Sequence, residues 1–112
     1  MSGNAFRVVY TPDALEDLAS IWRWNVKTYS RSHATSYIKL LRRHINDLCD
    51  DPQRGRIVES RPDLRYLLIK IRSRGHGHVV VYRVRDNKLE VSNVFHSAQD
   101  WQRNLAGYAP HD

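Results

Sequence analysis

Between Arg54 and Arg85 the chain carries nine Lys or Arg residues against two acids, Glu59 and Asp63. That segment is therefore a net +7 in a chain whose formal charge is +6, and the remaining residues sum to about −1. Positive charge concentrated in this way selects a polyanionic partner: nucleic acid, an acidic protein segment, or both. The candidate contacts are Arg65, Lys70, Arg72, Arg74, Arg83 and Arg85, and the plainer reading of the same residues is a solvated cationic sheet face. His76 and His78 would share one face of a strand, with His96 approaching from the next strand. Three imidazoles suit zinc, but no Cys, Asp or Glu stands at a spacing that completes a tetrahedral site, so no metal is expected. His96 can act as a general acid, because imidazole titrates near neutrality, or can simply hydrogen-bond at a strand end, with Asp100 as partner.

Two tryptophans bear on recognition. Trp22 and Trp24 are two apart and face different ways on a helix. Trp22 shares the apolar stripe and is expected in the core, which leaves Trp24 as the candidate interface anchor or as a ring tucked against the sheet. Trp101 poses the same choice. Tyr82 alternates with Val80 and Val84 and reads as core. The lone Cys49 excludes an internal disulfide and points to a reducing compartment, most simply as a small buried residue near a helix end. Neither a signal-peptide run nor a stretch of about 18 apolar residues occurs, so a cytoplasmic chain without membrane contact is expected.

The elements that must position these residues are readable in order. Phe6 to Tyr10 is a short strand, and Thr11-Pro12-Asp13 supplies an N-cap with proline at the first helical position. Leu15, Leu18, Ala19, Trp22 and Val26 recur at helical steps and predict an amphipathic helix ending near Thr28. Ser30 or Ser32 caps a second helix, with Ala34, Tyr37, Ile38, Leu41, Ile45 and Leu48 on one face, running to about Cys49. The short link between the two makes an antiparallel hairpin. Asp50 to Arg56 is a loop, and strands follow at Leu64–Ile71, His78–Val84 and Leu89–Phe95, with Asp86-Asn87 as a tight turn. A short helix over Ala98–Ala106 and a frayed tail from Gly107 complete an α+β chain. It reads as one domain over residues 1–112, with a core at about 5–106.

Taken together, the two-helix hairpin, the Asp51-Pro52-x-x-Gly55-Arg56 loop, the strand His78-Val79-Val80-Val81-Tyr82-Arg83-Val84 and the closing Val94-Phe95-His96-x-x-Gln99-Asp100 resemble the RelE/ParE superfamily of type II toxins. The His-x-x-Gln-Asp ending is similar to the ParE branch. The resemblance implies a toxin without a cofactor that inhibits DNA gyrase, takes part in plasmid stabilisation, and is neutralised in a hetero-oligomer with a ParD-like antitoxin. Contact with DNA would be indirect, through gyrase. The surface for target or antitoxin would draw on the six cations above together with His96, Asp100, Trp101 and Trp24.

The superfamily's other branch cleaves ribosome-bound messenger RNA. Cutting RNA without a metal requires a base or acid and several cations converging on one phosphate. Lys70 and Arg72 match the lysine-bearing strand of that branch, and Arg83 and His96 would complete the nuclease alternative. The pattern departs at Val79, where it calls for arginine, and at Ser97-Ala98-Gln99-Asp100, where an aspartate opposes charge stabilisation. Tyr108 lies beyond the expected terminal helix. No catalytic residue is therefore assigned, and the ribosome-dependent RNase stands as the alternative, beside a toxin-fold protein that only binds an antitoxin.

Overall fold

Thr11 starts the helical layer by a local device. Its backbone is extended, and its Oγ1 accepts the Ala14 N–H at 3.1 Å while Pro12 supplies the preset helical φ. Helix α1 (Pro12–Thr28) follows, and Ser30 caps α2 (Arg31–Asp47) in the same way by accepting the His33 N–H at 3.0 Å. Only Tyr29 and Ser30 separate the two, so they fold back on each other as expected. The computed structural model describes residues 6–71 and 77–108, side chains 104 and 106–108 excepted. Arg72, Arg74, His76 and the side chain of Tyr108 lie outside that description.

After two single 3-10 turns, Leu48–Asp50 and Pro52–Arg54, the chain forms most of a five-stranded sheet. With β1 (Arg7–Tyr10), β2 (Arg56–Val58), β3 (Arg61–Ile69), β4 (His78–Arg85) and β5 (Lys88–His96), the order is β1-β5-β4-β3-β2. β1 joins β5 in parallel, and the other pairs are antiparallel. The short β2 is an addition to the expected strands. Three residues between turns give no readable alternation, and β2 exists because β3 offers it an edge. Between β4 and β5, Asp86 and Asn87 have φ of 52° and 61°, the paired positive values of a two-residue hairpin turn.

One face of the sheet receives the helical hairpin. Leu41, Ile45 and Leu48 of the second helical segment meet Ile69, Val80, Tyr82, Leu89, Val91 and Val94. For α2 the apolar face is the expected one, whereas α1 is rotated from its expected phase. Its buried residues are Ala14, Leu18 and Asn25, with Ile21 packed against the core, while Leu15 is 51% exposed. Trp22 is correspondingly only half-buried, with the Arg31 guanidinium 6.0 Å from its ring, and is not the core member expected. Cys49 is buried in this core, and burial pushes its thiol pKa up.

The opposite face is covered by α3 (Trp101–Tyr108), whose Trp101 and Leu105 pack on Val58, Leu64, Val79 and Val81. Trp101 lies 4.8 Å from Tyr66 and 6.2 Å from Phe95, ring centre to ring centre. The helix starts later than Ala98 and runs through Gly107 and Tyr108, which were expected in the tail, because Ala98 and Gln99 are used in the turn that leaves β5.

Where β1 stops at Tyr10, β5 continues without a strand on that side, and the start of α1 takes over as its partner. A bulge makes this contact. Val81 pairs with Asn93 but Tyr82 pairs with Val91, so Ser92 is the extra residue. The carbonyls of Val91 and Ser92 accept from the Thr11 N–H at 3.0 Å and the Thr11 hydroxyl at 2.9 Å. Asp17 Oδ2 accepts the Val94 N–H at 2.8 Å and a longer bond from Asn93 at 3.5 Å.

A second tie anchors the loop ahead of β2. The fully buried Tyr82 donates its hydroxyl proton to the Pro52 carbonyl at 2.7 Å and accepts the Gly55 N–H at 2.9 Å. A Cβ at Gly55 would collide with that hydroxyl and with the Tyr66 carbonyl, which explains the glycine. Replacing Tyr82 by Phe leaves the Gly55 N–H and Pro52 carbonyl without this partner. Urea denaturation should show a loss of about 1–3 kcal/mol, with the folded spectrum retained.

Candidate functional site

The antiparallel register of β3 and β4 divides the basic segment. Ile69 faces His78 and Arg65 faces Tyr82, so Lys70 lies at one end of the sheet and Arg83 and Arg85 towards the other. Five residues of strand between His78 and Arg83 amount to about 16 Å. Two of the cations are also engaged internally. Arg65 donates to the carbonyls of Gly55 at 2.7 Å and Gln53 at 3.2 Å, which fixes the loop before β2. Arg83 pairs with Glu90 at 2.8 Å and Asp63 at 3.6 Å, and the Arg61 and Arg83 guanidiniums hold the Asp63 carboxyl below its ordinary range. Lys70 and Arg85 are exposed.

Register also assembles a feature that counting along the chain missed. Arg7 faces Lys88 across β1 and β5, and Lys88 faces Arg85 across β5 and β4. Three cations thus stand abreast on neighbouring strands, spanning roughly 10 Å at the usual strand spacing. Among the described residues none of the three forms an ion pair. Like charges placed directly opposite one another cost stability unless an anion neutralises them. The signal was present as one cation on each of three strands and becomes visible only when the strands are paired.

At the other end of the sheet a cleft of about 690 Å³ opens between the helical hairpin and the ends of β4 and β5. Rings line it in sequence. Trp24 and Tyr29 meet edge-on at 5.9 Å, and Tyr29 lies 4.3 Å from His33. Tyr37, one turn along α2, places its hydroxyl 2.7 Å from His78 Nδ1, and His78 faces His96 across the strands at 5.5 Å. Trp24 and Tyr29 are 57% and 53% exposed, as an interface anchor at Trp24 requires. Burial, helped by the neighbouring His96, pushes the His78 pKa down to about 4, so this imidazole is neutral at pH 7. His96 itself is exposed and accepts the Ala98 N–H at 3.1 Å, while its own N–H donates to Gln99. Asp100 turns to Arg103 at 3.8 Å. Among the described residues no three His, Cys, Asp or Glu side chains gather as a metal site.

The fold and these surfaces can be set beside known proteins. The family model for the ParE toxin of the type II toxin–antitoxin system parDE matches residues 8–101. The chain belongs to the ParE toxin family. Among solved structures it is similar to the chromosomal ParDE toxin–antitoxin system from P. aeruginosa, with a TM-score of 0.69. Identity is 15%, and the match covers 83% of this chain and 97% of that one, so the likeness is one of fold. No curated protein matches the sequence.

For a ParE-family toxin, the residues of the nuclease alternative do not come together. Lys70 and His96 lie at the same end of the sheet, but Arg83 lies at the far end in its ion pairs, and Val79 is buried beneath α3. Trp101 is 8% exposed and serves to anchor α3. No described helix is long and apolar enough to cross a membrane.

The neutral His78 has a consequence for stability. Its pKa is about 4 folded against 6.5 for a free imidazole, so between these values the unfolded chain binds the extra proton. Its contribution is complete above pH 6.5 and is lost as pH falls towards 4, up to about 3 kcal/mol. Asp17, whose pKa burial raises, acts in the opposite sense at the acid end, so the difference from a His78→Asn variant isolates the histidine. Denaturation midpoints at a series of pH values should show the wild type losing more stability than the variant between pH 6.5 and 4.

Proposed function

We propose that this ParE-family toxin arrests growth by inhibiting DNA gyrase, and that a cognate ParD-like antitoxin neutralises it by direct binding. The family match over residues 8–101 carries the reading. The mode is binding rather than bond cleavage: the toxin stabilises a cleaved gyrase–DNA state by differential affinity, which requires no nucleophile and no cofactor. The row Arg7, Lys88 and Arg85 supports this, since cations in register with no ion pair among the described residues suit the charge of a DNA-bound enzyme, or of an acidic antitoxin segment competing for the same row. Lys70 and His96 at the opposite end of the sheet belong to a second contact region.

Purified toxin incubated with gyrase, plasmid and ATP, and in parallel with programmed ribosomes, separates the alternatives. Linear plasmid trapped in the gyrase arm is the expected result. Message cut at the ribosome overturns the reading, and neither product points to a chain that only binds an antitoxin. Replacing Arg7, Arg85 and Lys88 together by alanine should weaken gyrase trapping by about tenfold at physiological salt and flatten its salt dependence. Relief of like-charge repulsion predicts that thermal stability is kept or rises.

A further inference from the structure

The cleft between the hairpin and the ends of β4 and β5 offers acceptors and aromatic faces, in a chain that is otherwise basic. No Lys or Arg is among the described residues that line it, and Asp17 is the one carboxylate there. The two bonds that Asp17 accepts both fall on Oδ2, and among the described residues Oδ1 receives none. Asn25 is stronger evidence. It is 4% exposed, lies on the buried face of α1, and lines the cleft. Its amide nitrogen donates to the Ile21 carbonyl at 2.8 Å, which fixes the orientation of the group. The remaining Oδ1 has no donor among the described residues and is not sealed off, so it faces the cleft as an unpartnered acceptor. An acceptor open only to the cleft has its hydrogen bonding completed either by water or by the donors of a ligand seated there.

The complementary group is planar, rich in N–H donors, free of acceptors and cationic. A guanidinium has all four properties and stacks on aromatic faces. The exposed Trp24 at the mouth supplies such a face, and the neutral His78 adds no competing charge. A nucleobase could stack there too, but it brings a phosphate, for which no described lining residue provides a cation. A free amino acid brings a carboxylate with the same difficulty. A side chain presented by another protein brings the guanidinium alone.

We infer that the cleft is a receptor for an arginine side chain of a partner protein, with Asn25 Oδ1 and Asp17 Oδ1 accepting its N–H groups and the exposed Trp24 ring stacking on its plane. The chain's net charge of +6 repels cations at long range, so the selectivity has to be local. The assignment holds whichever protein is the partner, and so does not depend on gyrase being the target.

The test is a titration of the full chain with N-acetyl-arginine methylamide, followed by NMR at the Trp24 indole and the Asn25 side-chain amide. The neutral isostere, N-acetyl-citrulline methylamide, and thymidine 5′-monophosphate are run alongside. Saturable shifts at both groups with a roughly millimolar Kd are expected for arginine, and citrulline should bind about tenfold weaker. Asn25→Ala and the exposed Trp24→Ala should each weaken arginine about tenfold. Trp24→Ala removes a surface ring and tests the site even if Asn25→Ala fails to fold. Equal binding of arginine and citrulline, tighter binding of the nucleotide, or no saturable shift in the cleft overturns the inference. So does a chain carrying Arg72→Ala and Arg74→Ala that binds arginine about tenfold tighter, since the chain's own arginines would then be the occupants.

Discussion

The structure depends on how the outer edge of β5 is satisfied. A strand that loses its neighbour halfway along leaves backbone donors and acceptors that must find partners. Here the sheet partner ends at Tyr10, and Thr11 and Asp17 replace it within the first two turns of α1. The Ser92 bulge turns two successive carbonyls to the side where Thr11 can reach both. One residue, Thr11, therefore caps the helix and closes the sheet edge together. This sets the rotation of α1 on the sheet. With Asp17 turned to β5, Ala14, Leu18, Ile21 and Asn25 must face inward, and Leu15 and Trp22 are carried towards solvent.

That rotation also makes the cleft. Past Val94 the edge of β5 has no helix against it, and the hairpin and the strand ends diverge around Asn25, Tyr37, His78 and His96. The two ends of the molecule consequently differ in character. At the Lys88 end three cations stand abreast with no ion pair among the described residues, and at the other end, beside Lys70, the cleft gathers acceptors and aromatic rings with no Lys or Arg among its described lining. Surfaces of different chemistry at the two ends allow two partners, or two parts of one, to be recognised separately.

Much of the fold was legible because its signals are local. The Thr11-Pro12 cap, the α2 stripe through Leu41 and Ile45, and the Asp86-Asn87 turn each act within a few residues and sit where the sequence placed them, and Ser30, one of two serines offered, caps α2. What was not legible depends on pairing. The phase of α1 went wrong because periodicity ranks Trp22 above Asn25, and only the bond between Asp17 and Val94, 77 positions apart, decides otherwise. Strand β2 is too short to announce itself. The basic segment looked like one patch because neighbours in sequence are not neighbours across a register: Arg83 is paired, Arg65 is tied to carbonyls, and Arg7 and Lys88 enter from outside the segment. Of the residues around the cleft, His78, His96 and Trp24 were singled out for their types, while Asp17, Asn25, Tyr29 and His33 carried no signal until the hairpin closed over the sheet.

The claim that α1 stands in for a missing strand is tested most directly by amide hydrogen exchange at Val94, whose N–H is donated to Asp17 rather than to a neighbouring strand. In the Asp17→Ala chain the Val94 amide should exchange about tenfold faster or more, while the Val80 and Val81 amides in the sheet interior keep their protection. Unchanged protection at Val94 in that variant would contradict the account.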